Sequence, residues 1–187
     1  NGVAFSPVAS GTYTVTGTNA SGCSNTATRA ITVNNLPTVT ASSSPASGIV
    51  CAGSNITLNG GGATSYAWSG GVANGTAFTP AASGTYTVTG TDANGCTNTA
   101  TQAVTVNNLP TVTVNSPSTC SGVATTLTGS GASTYSWSTT ETGNSISVSP
   151  TTNTSYTVTG TDANGCTNTA VANVTVTSAP NVTVNSL

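Results

Sequence analysis

The sequence is almost devoid of charge. Of its 187 residues one is Lys or Arg, three are Asp or Glu and none is His, whereas a soluble domain carries about 25% charged residues. Binding of DNA or RNA needs a basic surface that neutralises phosphates, and acid–base catalysis needs positioned titratable side chains. Arg29 is the single cation. We therefore expect no enzyme activity, no nucleic-acid partner, no cofactor and no catalytic residues.

Long hydrophobic runs are also missing. No stretch approaches the roughly 18 to 20 consecutive apolar residues of a transmembrane helix, so we expect no membrane span. Disordered chains usually combine high net charge with few β-branched and aromatic residues. This chain has a net charge of −2 and is rich in Val and Thr. The composition therefore predicts a folded protein rich in β-structure.

What the sequence does contain is an internal repeat. The segment from Thr85 to Gly90 matches residues 12–17 at an offset of 73, and matches residues 155–160 at an offset of 70. Ten consecutive residues, 91–100, recur unchanged as 161–170. A fixed period of this length indicates a repeated structural unit. We call this unit a module.

The offsets divide the chain into four segments. Residues 1–36 correspond to the C-terminal half of a module, which we call the partial module. Residues 37–109 and 110–179 form a first and a second complete module, and residues 180–187 correspond to the first strand of a further one. We predict these boundaries from the periodicity alone.

Within each module apolar and polar residues alternate, as at Tyr86 and Val88, which is typical of half-buried strands. Asn94-Gly95 and Asn164-Gly165 favour tight hairpins. In the first complete module we predict strands near 38–41, 54–59, 64–69, 76–79, 85–91 and 96–106. Short strands with a Trp on the third predict an all-β fold of tandem immunoglobulin-like antiparallel β-sandwiches in an extended array.

Four segments carry a resemblance to a known group of proteins. They are Cys-Ala-Gly-Ser-Asn-Ile-Thr-Leu at 51–58, Tyr-Ala-Trp at 66–68, Gly-Thr-Tyr-Thr-Val-Thr-Gly-Thr-Asp-Ala-Asn-Gly-Cys at 84–96, and the closing Val-Thr-Val. In this order they resemble the tandem Ig-like and PKD-like repeats of giant Bacteroidetes surface proteins, including gliding adhesins. The resemblance implies type IX secretion and a role as a surface filament, stalk or adhesin. One departure is Ser69-Gly70-Gly71 after the Trp, where PKD repeats have Phe-Gly-Asp-Gly.

The five cysteines recur at equivalent positions, and none belongs to a C-x-x-C pair or lies near a His. Zinc sites use such clusters, so we expect no metal site and predict structural disulfides in an oxidising, extracellular setting. Cys51 and Cys120 precede the second predicted strand of their modules. The other three, Cys23, Cys96 and Cys166, follow the hairpin.

Two disulfide registers are open. Pairing within modules would join Cys51 to Cys96 and Cys120 to Cys166. In an Ig-type sandwich, however, these positions lie at opposite ends of a strand about 20 Å long, and a disulfide needs Cα atoms within about 7 Å. Pairing between modules would instead join Cys51 to Cys166 and leave the other three cysteines to partners outside the segment.

Other candidate sites have structural interpretations. Asp92 and Asp162 could suggest calcium, but Asn19 replaces them in the partial module, which favours an Asx side chain that caps the hairpin. Trp68 and Trp137 could stack on sugars, although a Trp on the third strand of an Ig-like fold usually lies in the core.

We expect the chain to be a structural segment of an extracellular filament or adhesin stalk. Near-neutral polar surfaces favour association, so neighbouring modules and other copies of the chain are the expected partners. The alternative is a carbohydrate- or surface-binding β-sandwich, with a polysaccharide as its partner.

Overall fold

The computed structural model describes residues 3–183, and every regular element in this range except a 3₁₀ turn at Ser69–Gly71 is a β-strand. The all-β prediction is thereby confirmed. Among the described residues, none forms a helix with the length and apolarity needed to cross a membrane.

The partial module forms a two-stranded antiparallel sheet. Its strands are β1 (Gly11–Thr18) and β2 (Ser24–Ile31), joined by a hairpin and paired in register from Gly11 opposite Ile31 to Thr18 opposite Ser24.

The first complete module contains seven strands in two sheets. One sheet has the order β3-β5-β7, with β3 (Thr40–Ser44), β5 (Ile56–Gly61) and β7 (Ala77–Phe78). The other has the order β4-β9-β8-β6, with β4 (Ile49–Cys51), β6 (Ser65–Trp68), β8 (Gly84–Thr91) and β9 (Thr97–Asn107).

The second complete module repeats this arrangement. One sheet has the order β10-β12-β14, with β10 (Thr113–Val114), β12 (Thr125–Ser130) and β14 (Ser145–Val148). The other has the order β11-β16-β15-β13, with β11 (Ser118–Cys120), β13 (Thr134–Trp137), β15 (Thr154–Thr161) and β16 (Thr167–Thr177). Two sheets of three and four strands with these crossovers define an Ig-like β-sandwich.

All six predicted strands of the first complete module exist, with ends shifted by up to three residues. The prediction of Ig-like β-sandwich modules is confirmed. The strands β4 and β11 were not predicted, and each pairs in parallel, with β9 and β16. Each of these strands is three residues long. Parallel pairing between distant segments leaves no hairpin signature in the sequence.

The described chain divides into two compact units. The first comprises residues up to Gly48 with Ile56–Phe78 and Gly84–Val104; the second comprises Ile49–Asn55, Thr79–Ser83 and the chain from Thr105 onward. The second unit thus takes β4 and the last three residues of β9 from the first complete module. The module boundaries remain a prediction from the periodicity.

The core of the second unit is small and built from alternating positions. Leu127 and Val158 are fully buried, and Trp137 is 4% exposed. On β14 the residues alternate between exposed and buried, so one face of the strand points inward. The buried cluster consists of Val112, Leu127, Trp137, Ile146, Val148, Val158, Ala172 and Val174.

A glycine of β15 lets the residues just before β10 and β13 pack closely against the strand. A Cβ atom added at Gly160 would lie 2.6 Å from Cγ2 of Val112 and 2.7 Å from Cβ of Ala132. Contacts this short do not occur between real side chains, so only glycine fits. Gly90 has the same relation to Val39, at 2.6 Å.

Leu127→Ala should lower the free energy of unfolding by about 2 to 5 kcal/mol, because it leaves a cavity in a closely packed core. Leu109→Ala removes the same atoms from a side chain that is 41% exposed, and should cost well under about 1 kcal/mol. Denaturant unfolding followed by tryptophan fluorescence measures both. Equal losses would contradict this placement of the core.

Candidate disulfide joint between successive modules

Cys51 and Cys166 form a disulfide. Their sulfur atoms are 1.97 Å apart and their Cα atoms 5.6 Å apart, across 115 residues of sequence. Cys51 belongs to the first complete module and Cys166 to the second, so the bond joins successive modules within the second compact unit. This confirms the register between modules. Pairing of Cys51 with Cys96, and of Cys120 with Cys166, was wrong.

Strand β4 places Cys51 at the end of its module. Cys51 lies opposite Asn107 in the parallel pairing, and the backbone N–H of Ala52 donates to the carbonyl of Asn107 at 2.8 Å. Asn107 is the last residue of β9. Cys51 therefore lies where the chain leaves the first complete module.

A capped hairpin places Cys166. The Asp162 carboxylate accepts hydrogen bonds from the backbone N–H groups of Asn164 at 2.8 Å and Cys166 at 2.9 Å. Gly165 adopts a φ of 80°, which favours glycine. Cys166 is 1% exposed. The hairpin therefore holds a buried sulfur in a fixed position.

A second contact fixes this hairpin to the start of its own module. The Asn168 side-chain amide donates to the carbonyl of Pro110 at 3.0 Å. Pro110 follows Asn107 by three residues. This short linker, with one end beside Cys51 and the other beside Asn168, brings the two cysteines together.

The other hairpins have the same cap. Asp92 accepts from the backbone N–H groups of Asn94 and Cys96, both at 2.8 Å. In the partial module Asn19 accepts from Ser21 and Cys23, both at 3.0 Å. An amide oxygen thus replaces the carboxylate, which confirms the prediction of an Asx cap that does not depend on charge. Residues 3–183 contain no group of three or more His, Cys, Asp or Glu side chains that could hold a metal ion.

Three cysteines are free in the described part of the chain. Cys23 and Cys120 are exposed, and Cys96 is half-buried. These are the three cysteines that were expected to remain unpaired if Cys51 pairs with Cys166.

Both tryptophans are buried. Trp68 is 6% exposed and Trp137 4%, and their indole N–H groups donate to the side chain of Asn74 and to the carbonyl of Gly143, both at 2.9 Å. A sugar needs an exposed ring face on which to stack. The predicted glycan-stacking role of Trp68 and Trp137 is therefore incompatible with their burial.

The second unit also has an open groove of about 820 Å³ beside β13. Small polar residues line it, together with Tyr135, whose hydroxyl contacts the backbone of Ala132 at 2.8 and 2.9 Å. Its lining contains no Asp, Glu, Lys or Arg. Glu141 lies outside this lining, exposed, and accepts from the hydroxyl of Thr139. The groove thus offers no carboxylate or basic side chain for acid–base chemistry.

No protein-family model and no curated protein matches the chain. Among solved structures, it is similar over 90% of its length to an adhesin described as Ca²⁺-stabilized, which helps an Antarctic bacterium bind ice; the identity is 18% and the TM-score 0.40. The chain spans 56%, about half, of that structure.

Two further structures have comparable similarity. One is a 1.5-MDa bacterial ice-binding adhesin, with 21% identity, a TM-score of 0.36 and coverage of 89% of this chain and 74% of that one. The other comprises three Ig domains of titin, with 14% identity, a TM-score of 0.38 and coverage of 90% and 75%. At these sequence identities and TM-scores, the similarity supports no conclusion about function. The Ig-like class rests on the strand order given above.

Asp162→Ala should destabilise the joint by about 1 to 3 kcal/mol, because two backbone N–H groups lose their acceptor. Asp162→Asn should cost much less, since Asn19 makes the same two bonds. Thermal unfolding under oxidising conditions measures both. If the hairpin cap required a carboxylate, Asp162→Asn would instead be as unstable as Asp162→Ala.

Replacing both Cys51 and Cys166 by Ser should lower the free energy of unfolding by about 2 to 5 kcal/mol, because an open chain gains entropy when it unfolds. Cys120→Ser changes an exposed free thiol and serves as the control, with little expected change. The measurement is chemical denaturation without reductant. A loss of similar size in the control would argue against this role of the disulfide.

Proposed function

We propose that this chain is a structural repeat segment of an extracellular filament or adhesin stalk, which provides reach and resists force and proteases. The disulfide between Cys51 and Cys166 carries the proposal, because it links successive modules covalently. Disulfides persist in oxidising compartments such as the cell exterior. The resemblance to Bacteroidetes surface repeats further suggests type IX secretion.

The covalent connection determines where a pulling force would travel. A force applied at the two ends of the chain reaches Cys51 from one side and Cys166 from the other, and crosses directly through the sulfur–sulfur bond. The strands between them, β5 to β15, lie outside this path. Even if their cores opened, the chain between the two cysteines could not extend.

The composition supports the same role. With one Arg and no Lys, the chain offers trypsin-like proteases a single cleavage site, at Arg29. A surface with few charges also favours association with like surfaces over mutual repulsion. Neighbouring modules and other copies of the chain are therefore the proposed partners.

Single-molecule pulling between handles at the two chain ends tests the proposal. Cys51→Ser combined with Cys166→Ser should release 115 more residues than the oxidised chain, a gain in length of about 380 to 410 Å at 3.3 to 3.6 Å per residue. Cys120→Ser should behave like the oxidised parent. If the oxidised chain reached the length of the double variant at the same force, the mechanical role would be excluded.

A further inference from the structure

Four Asn-Gly pairs lie among residues 3–183, in two structural settings. Two pairs are at hairpin tips, Asn94-Gly95 between β8 and β9 and Asn164-Gly165 between β15 and β16. The other two lie within a sandwich, Asn59-Gly60 in β5 and Asn74-Gly75 in the loop before β7. A glycine has no side chain to hinder the approach of its backbone nitrogen to the preceding Asn side chain. The setting therefore decides which pairs react in the folded chain.

The two hairpin asparagines have free side chains. Asn94 and Asn164 are exposed, and within the described part of the chain their backbone N–H groups form hydrogen bonds but their side chains form none. The glycine after each one donates its backbone N–H to the carbonyl three residues before it, at 3.1 and 3.2 Å. Each of these bonds belongs to a single turn, so it can open without disturbing the sheet.

The two pairs within the sandwich hold each other in place. The Asn74 side-chain oxygen accepts from the backbone N–H of Gly60 at 2.7 Å and from the indole of Trp68 at 2.9 Å. The N–H of Gly75 donates to the carbonyl of Leu58 at 2.9 Å. Both glycine nitrogens and the Asn74 amide are therefore occupied by contacts that fix the loop to β5.

We propose that Asn94 and Asn164 are sites of spontaneous deamidation, and that the fold protects Asn59 and Asn74. At a reactive pair the glycine nitrogen bonds to the side-chain carbonyl carbon of the asparagine and forms a cyclic succinimide. The bond from that carbon to the side-chain nitrogen breaks, and the nitrogen leaves as ammonia with the proton of the glycine N–H. A water molecule then opens the ring and gives aspartate or isoaspartate.

This reaction would alter the hairpin that positions the disulfide, which goes beyond the proposed function. Aspartate at position 164 adds a negative charge two residues from Asp162, whose carboxylate accepts from the backbone N–H groups of Asn164 and Cys166. Isoaspartate also leads the main chain through the side-chain carbons, which adds a backbone atom between those two N–H groups. Both products disturb the cap, so we expect the joint to weaken as the protein ages.

Peptide mapping of the full oxidised chain tests the proposal. The protein is incubated at mildly alkaline pH below its unfolding temperature, then reduced and digested with a protease that cuts after aromatic residues, which places the four pairs on separate peptides. Mass spectrometry follows the conversion of each pair. The hairpin pairs should convert about tenfold or more faster than the other two, because reaction within the sandwich first requires its hydrogen bonds to break.

The unfolded chain provides the reference rates. In guanidinium chloride with a reductant, the four pairs lose their tertiary contacts and should convert at similar rates. The ratio of the folded to the unfolded rate at each pair then measures protection by the fold, independently of the local sequence. Residues 91–100 and 161–170 are identical, so the two hairpin pairs should match most closely in this reference.

Two tryptophan variants test the contacts that protect Asn74. Trp68→Phe removes one of the two donors to the Asn74 side-chain oxygen, and should raise the deamidation rate of Asn74 about two- to tenfold. Trp137→Phe is the matched control, because Trp137 is similarly buried but its indole donates to the carbonyl of Gly143. It should leave the rate at Asn74 unchanged.

A glutamine variant tests the effect on the joint. Both chains carry Asn94→Gln, and one also carries Asn164→Gln. Glutamine keeps the amide but has a longer side chain that closes the ring much more slowly. After incubation the chain with Asn164 should unfold at a lower temperature than before, whereas the chain with Gln at that position should be unchanged.

Three results would overturn the proposal. One is equal conversion of all four pairs in the folded chain. Another is fastest conversion at Asn74, which would mean that its two donors activate the side-chain carbonyl instead of holding it. The third is no conversion at the hairpins in the time that the unfolded chain takes to react. None of these bears on the pulling experiment with fresh protein, so the proposed stalk role is tested independently.

Discussion

The close packing of a valine and an alanine against the backbone of one glycine is the constraint on which the fold of each complete module depends. Each complete module has few large apolar side chains, and Gly90 or Gly160 allows the valine just before β3 or β10 to pack directly against its backbone. The small core also explains the value of a covalent bond between modules. A domain of this size buries a limited share of its surface and gains stability from a cross-link.

Much of the fold could be predicted from the sequence, because alternation and hairpin residues are local signals. Six of the seven strands of the first complete module were found in this way, and so was the Asx cap at Asp92 and Asp162. Strands β4 and β11 were missed because their parallel partners are more than fifty residues away. The sequence could reduce the possible cysteine pairings to two alternatives, one within modules and one between modules. The choice between them depended on β4, which places Cys51 beside the end of β9.

The two complete modules reach the same packing through different local contacts. Trp68 donates to a side chain, Asn74, whereas Trp137 donates to a backbone carbonyl, that of Gly143. The loop that follows Trp137 contains Thr140 at a φ of 71°, an unusual conformation for a β-branched residue. The loop after the tryptophan therefore differs between the two modules, while the closely packed glycine, the capped hairpin and the cysteine positions are the same in both.

The span of the disulfide has a consequence for biosynthesis. Its two cysteines are 115 residues apart, and chains are made and fold from the N-terminus onward. When Cys51 leaves the ribosome, the hairpin that carries Cys166 has not yet been translated. The disulfide can therefore form only after the second complete module has been made, and Cys51 has to remain a thiol until then.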